Sequence, residues 1–163
     1  MCYSGSWNLV LNLKGAFFMS EKLTEMLNTQ IANWSLLFTK LHNYHWYVKG
    51  PQFFTLHVKF EELYTEAALH VDNLAERLLA LGGSPVATMH GVLETATVKD
   101  AVGNESATEM VRTIVADFGT IVNELKEGMS IANGEDDETT GDMLLAIHYS
   151  LEKHVWMLKS FLG

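Results

Sequence analysis

The 163-residue sequence contains one cysteine, Cys2, and two prolines, Pro51 and Pro85. A lone thiol cannot close an internal disulfide, so nothing ties the chain to an oxidising compartment and a cytoplasmic location is expected. With so little proline and 48% hydrophobic residues, a disordered chain is excluded. Positive charge is scarce as well: 11 Lys and Arg face 20 Asp and Glu, for a formal net charge of -9. That balance disfavours a polyanionic partner and suits a protein that attracts cations. No apolar run reaches the ~18 residues of a membrane span, so no membrane partner is expected. The length fits one domain with a substantial core.

Residues 1–18 read as an extension distinct from a domain at 19–163. Trp7–Leu13 is mostly apolar, but Lys14-Gly15 breaks it, and there is neither a basic n-region nor a following small-residue cleavage site, so it makes a poor signal peptide. Met19-Ser20-Glu21 looks like a natural beginning: serine is a good N-cap, and an early glutamate suits the helix dipole.

Four long amphipathic patterns follow. Leu27, Ile31, Trp34, Phe38, Leu41, His45 and Val48 recur at steps of three and four, and the pattern ends at Gly50-Pro51. The second stripe is His57, Phe60, Tyr64, Ala67, Val71, Leu74, Leu78 and Leu81, ending at Gly82-Gly83-Ser84-Pro85. The stretch 84–104 is irregular, with one short helix expected near Val92–Ala96. A third helix opens on the capping-box pattern Ser106-Ala-Thr-Glu109 and carries Val111, Ile114, Phe118, Ile121, Leu125, Met129 and Ala132 inward as far as Asn133-Gly134. The fourth starts in the acidic run 135–138 and buries Leu144, Ile147, Leu151, His154, Leu158 and Phe161. Short first and third joins make antiparallel neighbours, whereas the long second join can travel the length of a bundle. The expected fold is therefore all-α, a ferritin-like four-helix bundle with one long crossover containing a short helix.

Chemistry concentrates in residues 45–76. His45 and His57 flank the Gly-Pro turn, and Asp72 and Glu76 follow at i and i+4 on one helix face. Imidazole nitrogens and carboxylate oxygens suit a first-row transition metal such as iron. His57 precedes Asp72 by fifteen residues on a continuous helix, a separation of roughly 22 Å at 1.5 Å per residue. If these four residues make one site, the carboxylates come from a second copy of the chain.

The linked runs Lys40-Leu-His-Asn-Tyr-His-Trp-Tyr-Val-Lys-Gly50, Phe53-Phe-Thr-Leu-His57, Asp72-Asn-Leu-Ala-Glu-Arg77, Leu81-Gly-Gly-Ser-Pro85 and Lys153-His-Val-Trp-Met157 resemble the Dps family of mini-ferritins. The resemblance implies a homo-dodecameric shell that oxidises ferrous iron with hydrogen peroxide or oxygen and stores ferric mineral inside. It assigns His45 and His57 of one subunit, with Asp72 and Glu76 of its partner, to an intersubunit ferroxidase site. Trp46 would be an electron donor beside the iron, Glu61 and Glu62 a second iron or nucleation site, and Glu138 and Asp142 the lining of pores that admit iron.

The alternative within the same family is a DNA-binding and DNA-protecting nucleoid protein, which needs lysines and arginines to neutralise phosphates. Only Lys14 precedes Ser20 and only Lys159 follows Trp156, so the basic tail of DNA-binding members is missing and DNA binding is not expected. A 24-subunit ferritin needs Glu-x-x-His motifs, and none of the seven histidines has a glutamate three residues before it. His154 reads as a hydrogen-bonded core residue. His42, His70, His90 and His148 show no informative spacing, and the Trp and Met residues are core by default.

Overall fold

The computed structural model describes residues 20–163, so the expected boundary of the 1–18 extension lies outside the described residues. Helix α1 spans Glu21–Tyr47, α2 Phe53–Ala80, α3 Met89–Thr95, α4 Ala107–Gly134 and α5 Glu138–Leu162. Among the described residues there is no strand, and no helix is long and apolar enough to cross a membrane. The long helices are α1, α2, α4 and α5, and the bundle class expected from the sequence is the one observed.

Local chemistry sets the boundaries. Ser20 accepts a hydrogen bond from the Leu23 N–H and caps α1. The capping box at α4 is complete, with Ser106 and Glu109 satisfying each other's backbone N–H groups. Gly50 turns the chain between α1 and α2 at φ 99°, a left-handed conformation that a side chain would strain. This tight turn sets α2 antiparallel to α1.

The crossover from α2 to α4 climbs alongside α1. Asn28 holds the Ser84 carbonyl and the Val86 N–H, at 3.2 and 2.7 Å. Further up, Asn33 accepts from the Thr97 N–H at 2.8 Å, Lys40 donates to the Lys99 carbonyl at 2.7 Å, and the Tyr44 hydroxyl donates to Glu105 at 2.8 Å. The partners advance together along both segments, so α4 begins where α1 ends. It then descends antiparallel to α1, joined to it by the buried Lys40–Asp117 ion pair at 2.7 Å and by Gln30 and Asn33, which both donate to Glu124.

One continuous core fills the bundle, with Leu27, Leu37, Leu41, Phe60, Leu74, Ile114, Phe118, Leu125, Leu144 and Leu151 all buried. Several residues depart from the expected stripes. Phe38 is partly exposed, and the short helix begins at Met89, earlier than Val92. Trp156 and Met157 lie outside the core, as do Trp46 and Met89. The helical turn explains the first pair: at about 100° per residue, Trp156 points some 200° away from buried His154.

Candidate metal centre

His45 lies in the last turn of α1 and His57 in the second turn of α2, brought face to face by the turn at Gly50. Their rings stack with centroids 3.7 Å apart and planes 18° apart. Each ring also donates to the other's backbone: His45 Nδ1 to the His57 carbonyl at 2.7 Å, and His57 Nδ1 to the His45 carbonyl at 2.8 Å. A carbonyl only accepts, so both Nδ1 atoms carry the proton. In the neutral rings each Nε2 therefore keeps a free lone pair, the form a metal requires. The His45 carbonyl belongs to the final helical turn, where no intrahelical N–H is available, and His57 fills that vacancy. Phe53 also stacks on His57 at 5.0 Å, and Tyr64 meets His45 edge-on at 5.4 Å. His45 is buried and His57 half-buried.

Asp72 and Glu76 are both exposed on α2, four to five helical turns beyond His57. Among the described residues neither makes an ion pair, and no cluster of three or more His, Cys, Asp or Glu residues is arranged to hold a metal within one chain. Arg77 could have neutralised neighbouring Glu76. Instead it reaches to α5, where it donates to Asp137 at 2.6 Å and to the Thr140 hydroxyl at 2.8 Å. Asp72 stands at the rim of an apolar groove formed by Phe38, Ala68, Val71, Ala75 and Met89.

Of the other expected site residues, Trp46 is 66% exposed beside His45. Glu61 and Glu62 are exposed on α2, with Glu62 accepting from Lys59 at 2.9 Å. Glu138 and Asp142 are exposed in the first turns of α5. Asp137, from the same acidic run, is not solvated: it is buried, caps α5 through the Thr140 N–H at 3.0 Å, and binds Arg77.

A ferritin-like domain family matches residues 24–163. General stress protein 20U of Bacillus subtilis is 62% identical over 145 residues, covering 89% of this chain and 100% of the relative. The DNA protection during starvation protein 2 of Bacillus anthracis is 58% identical, covering 89% of this chain and 99% of that one. The chain belongs to the Dps family. Its fold agrees, superposing on the crystal structure of a Dps protein from Bacillus brevis with a TM-score of 0.85, at 56% identity and with 89% of this chain and 100% of that chain covered.

Within this Dps chain, the residues that sequence reasoning missed lie inside the bundle. Glu66 of α2 accepts from His154 at 2.7 Å, from Ser150 at 2.5 Å and from His70 at 3.2 Å. Burial alone would push its carboxyl up, but the donors His154, His70 and Ser150 outweigh burial and hold it well below the usual carboxylate range. His154 is thus the hydrogen-bonded core histidine expected, whereas His70 has a role that its spacing did not reveal. The Glu66-x-x-x-His70 spacing on one helix face was the available signal, but Ser150 and His154, on a distant helix, leave no trace in local sequence.

Proposed function

We propose that this protein is a ferroxidase and iron-storage protein, a homo-dodecamer that oxidises ferrous iron with hydrogen peroxide or oxygen and keeps the ferric product inside its shell. The observation that carries the reading is the reciprocal His45–His57 lock, which leaves two Nε2 lone pairs on one rigid unit. Two nitrogens alone hold a transition metal weakly. Asp72 and Glu76 supply the complementary oxygens but lie roughly 22 Å or more along the same helix from His57. A second copy seated on the groove beside Asp72 would bring its histidines to these carboxylates, and a two-fold arrangement gives each pair of chains two equivalent sites.

Ferrous iron is the substrate at such a site. The protein's part is to fix ligand geometry, while the electron is lost by the metal itself. The charge of -9 per chain favours delivery of cations, with Glu138 and Asp142 as pore lining and Glu61 and Glu62 as inward positions where oxidised iron collects. Consuming ferrous iron and peroxide together also withholds the reagents of hydroxyl-radical damage, so the DNA protection named for the Bacillus anthracis relative can arise here without DNA contact. Mixing the purified shell with ferrous salt and peroxide anaerobically tests the reading by the loss of ferrous ion. Iron oxidised no faster than in buffer, or a particle that sediments as a single chain, would defeat it.

A further inference from the structure

The first turns of α1 and the last turns of α4 enclose a groove of about 370 Å³, on a different face of α1 from the groove beside Asp72. Glu25, Glu124, Glu127 and Lys22 line it, so carboxylates outnumber ammonium groups three to one. Among the described residues none of these three carboxylates makes an ion pair. Glu124 is half-buried and bonds across helices, as Asp117 and Asp137 do, but those two have Lys40 and Arg77 as counter-ions. Its own donors are all neutral: Gln30 at 2.8 Å, Asn33 at 2.9 Å and the Thr97 hydroxyl at 2.6 Å.

Gln30, which also lines the groove, carries an independent sign of a missing donor. The residue is fully buried, and its Nε2 donates to Glu124, which fixes the amide because the reverse orientation would set two oxygens face to face. Its Oε1 is left with no hydrogen-bond partner among the described residues. A buried acceptor without a donor is costly, and such sites are usually completed by a ligand or a water. Met26, one turn before Gln30 on α1, lies across Gly128, where an added Cβ would come within 2.6 Å of its Cε. Its unbranched thioether chain can move aside and give a ligand access to Gln30.

We propose that this groove binds a linear aliphatic polyamine. Unpaired carboxylates and an acceptor without a donor call for a ligand that is both positively charged and rich in N–H groups. A single metal ion does not meet that need, because no three acidic or imidazole groups among the described residues are arranged to hold one. Ammonium groups spaced along a chain match carboxylates that do not converge, and aliphatic amines, like lysine, stay protonated at neutral pH. One ammonium donates to Gln30 Oε1 and Glu124, and others pair with Glu25 and Glu127. The methylenes between them lie on Met26 and Ile131. A bound triamine cancels about a third of the chain's formal net charge of -9. The site stands apart from the iron-oxidising reading and does not depend on it.

Calorimetric titration of the iron-free assembled protein with spermidine, at about 0.15 M salt to suppress loose counter-ion binding, should show one saturable site per chain. Putrescine should bind there too, and butylamine, with one charge on the same carbon chain, at least about tenfold more weakly. Glu25→Gln combined with Glu127→Gln changes only exposed side chains and should weaken spermidine about tenfold. Asp100→Asn combined with Glu152→Gln removes the same charge elsewhere on the surface and should leave binding unchanged. Equal weakening in both double variants would reduce the effect to a diffuse ion atmosphere and overturn the site. Magnesium ion binding as tightly as spermidine, or butylamine as tightly as putrescine, would overturn the choice of polyamine. In crystals soaked with spermidine, a nitrogen within about 3.2 Å of Gln30 Oε1 supports the assignment, and spermidine bound only elsewhere refutes it.

Discussion

Glu66 and His154 are separated by 88 positions in sequence, yet His154 Nε2 donates to Glu66 Oε2 at 2.7 Å inside the bundle. The other imidazole nitrogen is fixed too. Lys59, an ammonium that can only donate, sits 3.2 Å from His154 Nδ1, so Nδ1 accepts and the ring proton is on Nε2, facing the carboxylate. A neutral histidine thus joins a lysine on one side to an ionised glutamate on the other, and α2 is bonded to α5 at mid-bundle. Imidazoles committed in this way are not free to ligate a metal, in contrast to the His45–His57 pair, whose Nε2 atoms carry no proton.

The first prediction concerns acid stability. The folded Glu66 carboxyl is depressed, and an unfolded one titrates near 4.3, so on acidification the unfolded chain takes up its proton first. The stabilisation is fully present above that unfolded value and is lost as pH falls below about 5 toward the folded value. Glu66→Gln should flatten the fall in melting temperature across that window, at fixed protein concentration. Glu66→Ala, which strands three donors, should cost about 3 kcal/mol at neutral pH. Parallel pH profiles for wild type and Glu66→Gln would show that the carboxylate does not carry the effect.

How far the sequence revealed all this differs between fold and site. Repeating core positions marked the four helices, and the capping pattern at Ser106 marked the start of α4, because both are local signals. Separation along a helix was enough to show that His57 and Asp72 cannot share a metal within one chain. Nothing local disclosed that His45 and His57 would bond to each other's carbonyls, since this depends on how the Gly50 turn sets one ring upon the other. Asp137 misled for a similar reason: it sits in an acidic run that looks solvated, and its partner Arg77 lies 60 positions away.

Asp137 gives the second prediction. Burial pushes its carboxyl up, but the Thr140 and Arg77 bonds prevail and hold it below the usual value. Asp137→Ala removes the α5 cap and leaves the Arg77 guanidinium unpaired, which should cost about 3 to 4 kcal/mol by chemical denaturation. Its neighbour Asp136 has φ 55°, so Asp136→Gly should change stability by less than about 1 kcal/mol. Equal losses in the two variants would contradict the buried clamp.

DNA contact is the third test. With a net charge of -9 on each chain, repulsion from phosphates should prevent stable binding of plasmid at neutral pH and about 0.15 M salt, where screening acts over about 8 Å. Unshifted plasmid in a gel assay, at any protein excess, is the expected result. Retardation there would mean that enough of the exposed lysines and arginines gather on one face of the assembly to outweigh the net charge.

The last prediction tests whether the ligands come from separate chains. Replacing His45 and His57 together by alanine, or Asp72 and Glu76 together, should abolish rapid ferrous oxidation, because either change leaves half of every site. Both variants should still assemble, since the exposed carboxylates bear no core packing and the histidine change leaves every apolar residue of the core in place. When the two are dissociated, mixed in equal amounts and reassembled, each mixed pair of chains has one interface with all four ligands and one with none. Random pairing makes about half of the pairs mixed, and each of these restores one site of two. About a quarter of the wild-type initial rate should therefore return if sites act independently. Mass spectrometry of the reassembled particles confirms exchange. Exchanged particles that stay at the rate of the separate variants would show that histidines and carboxylates do not meet across a subunit boundary.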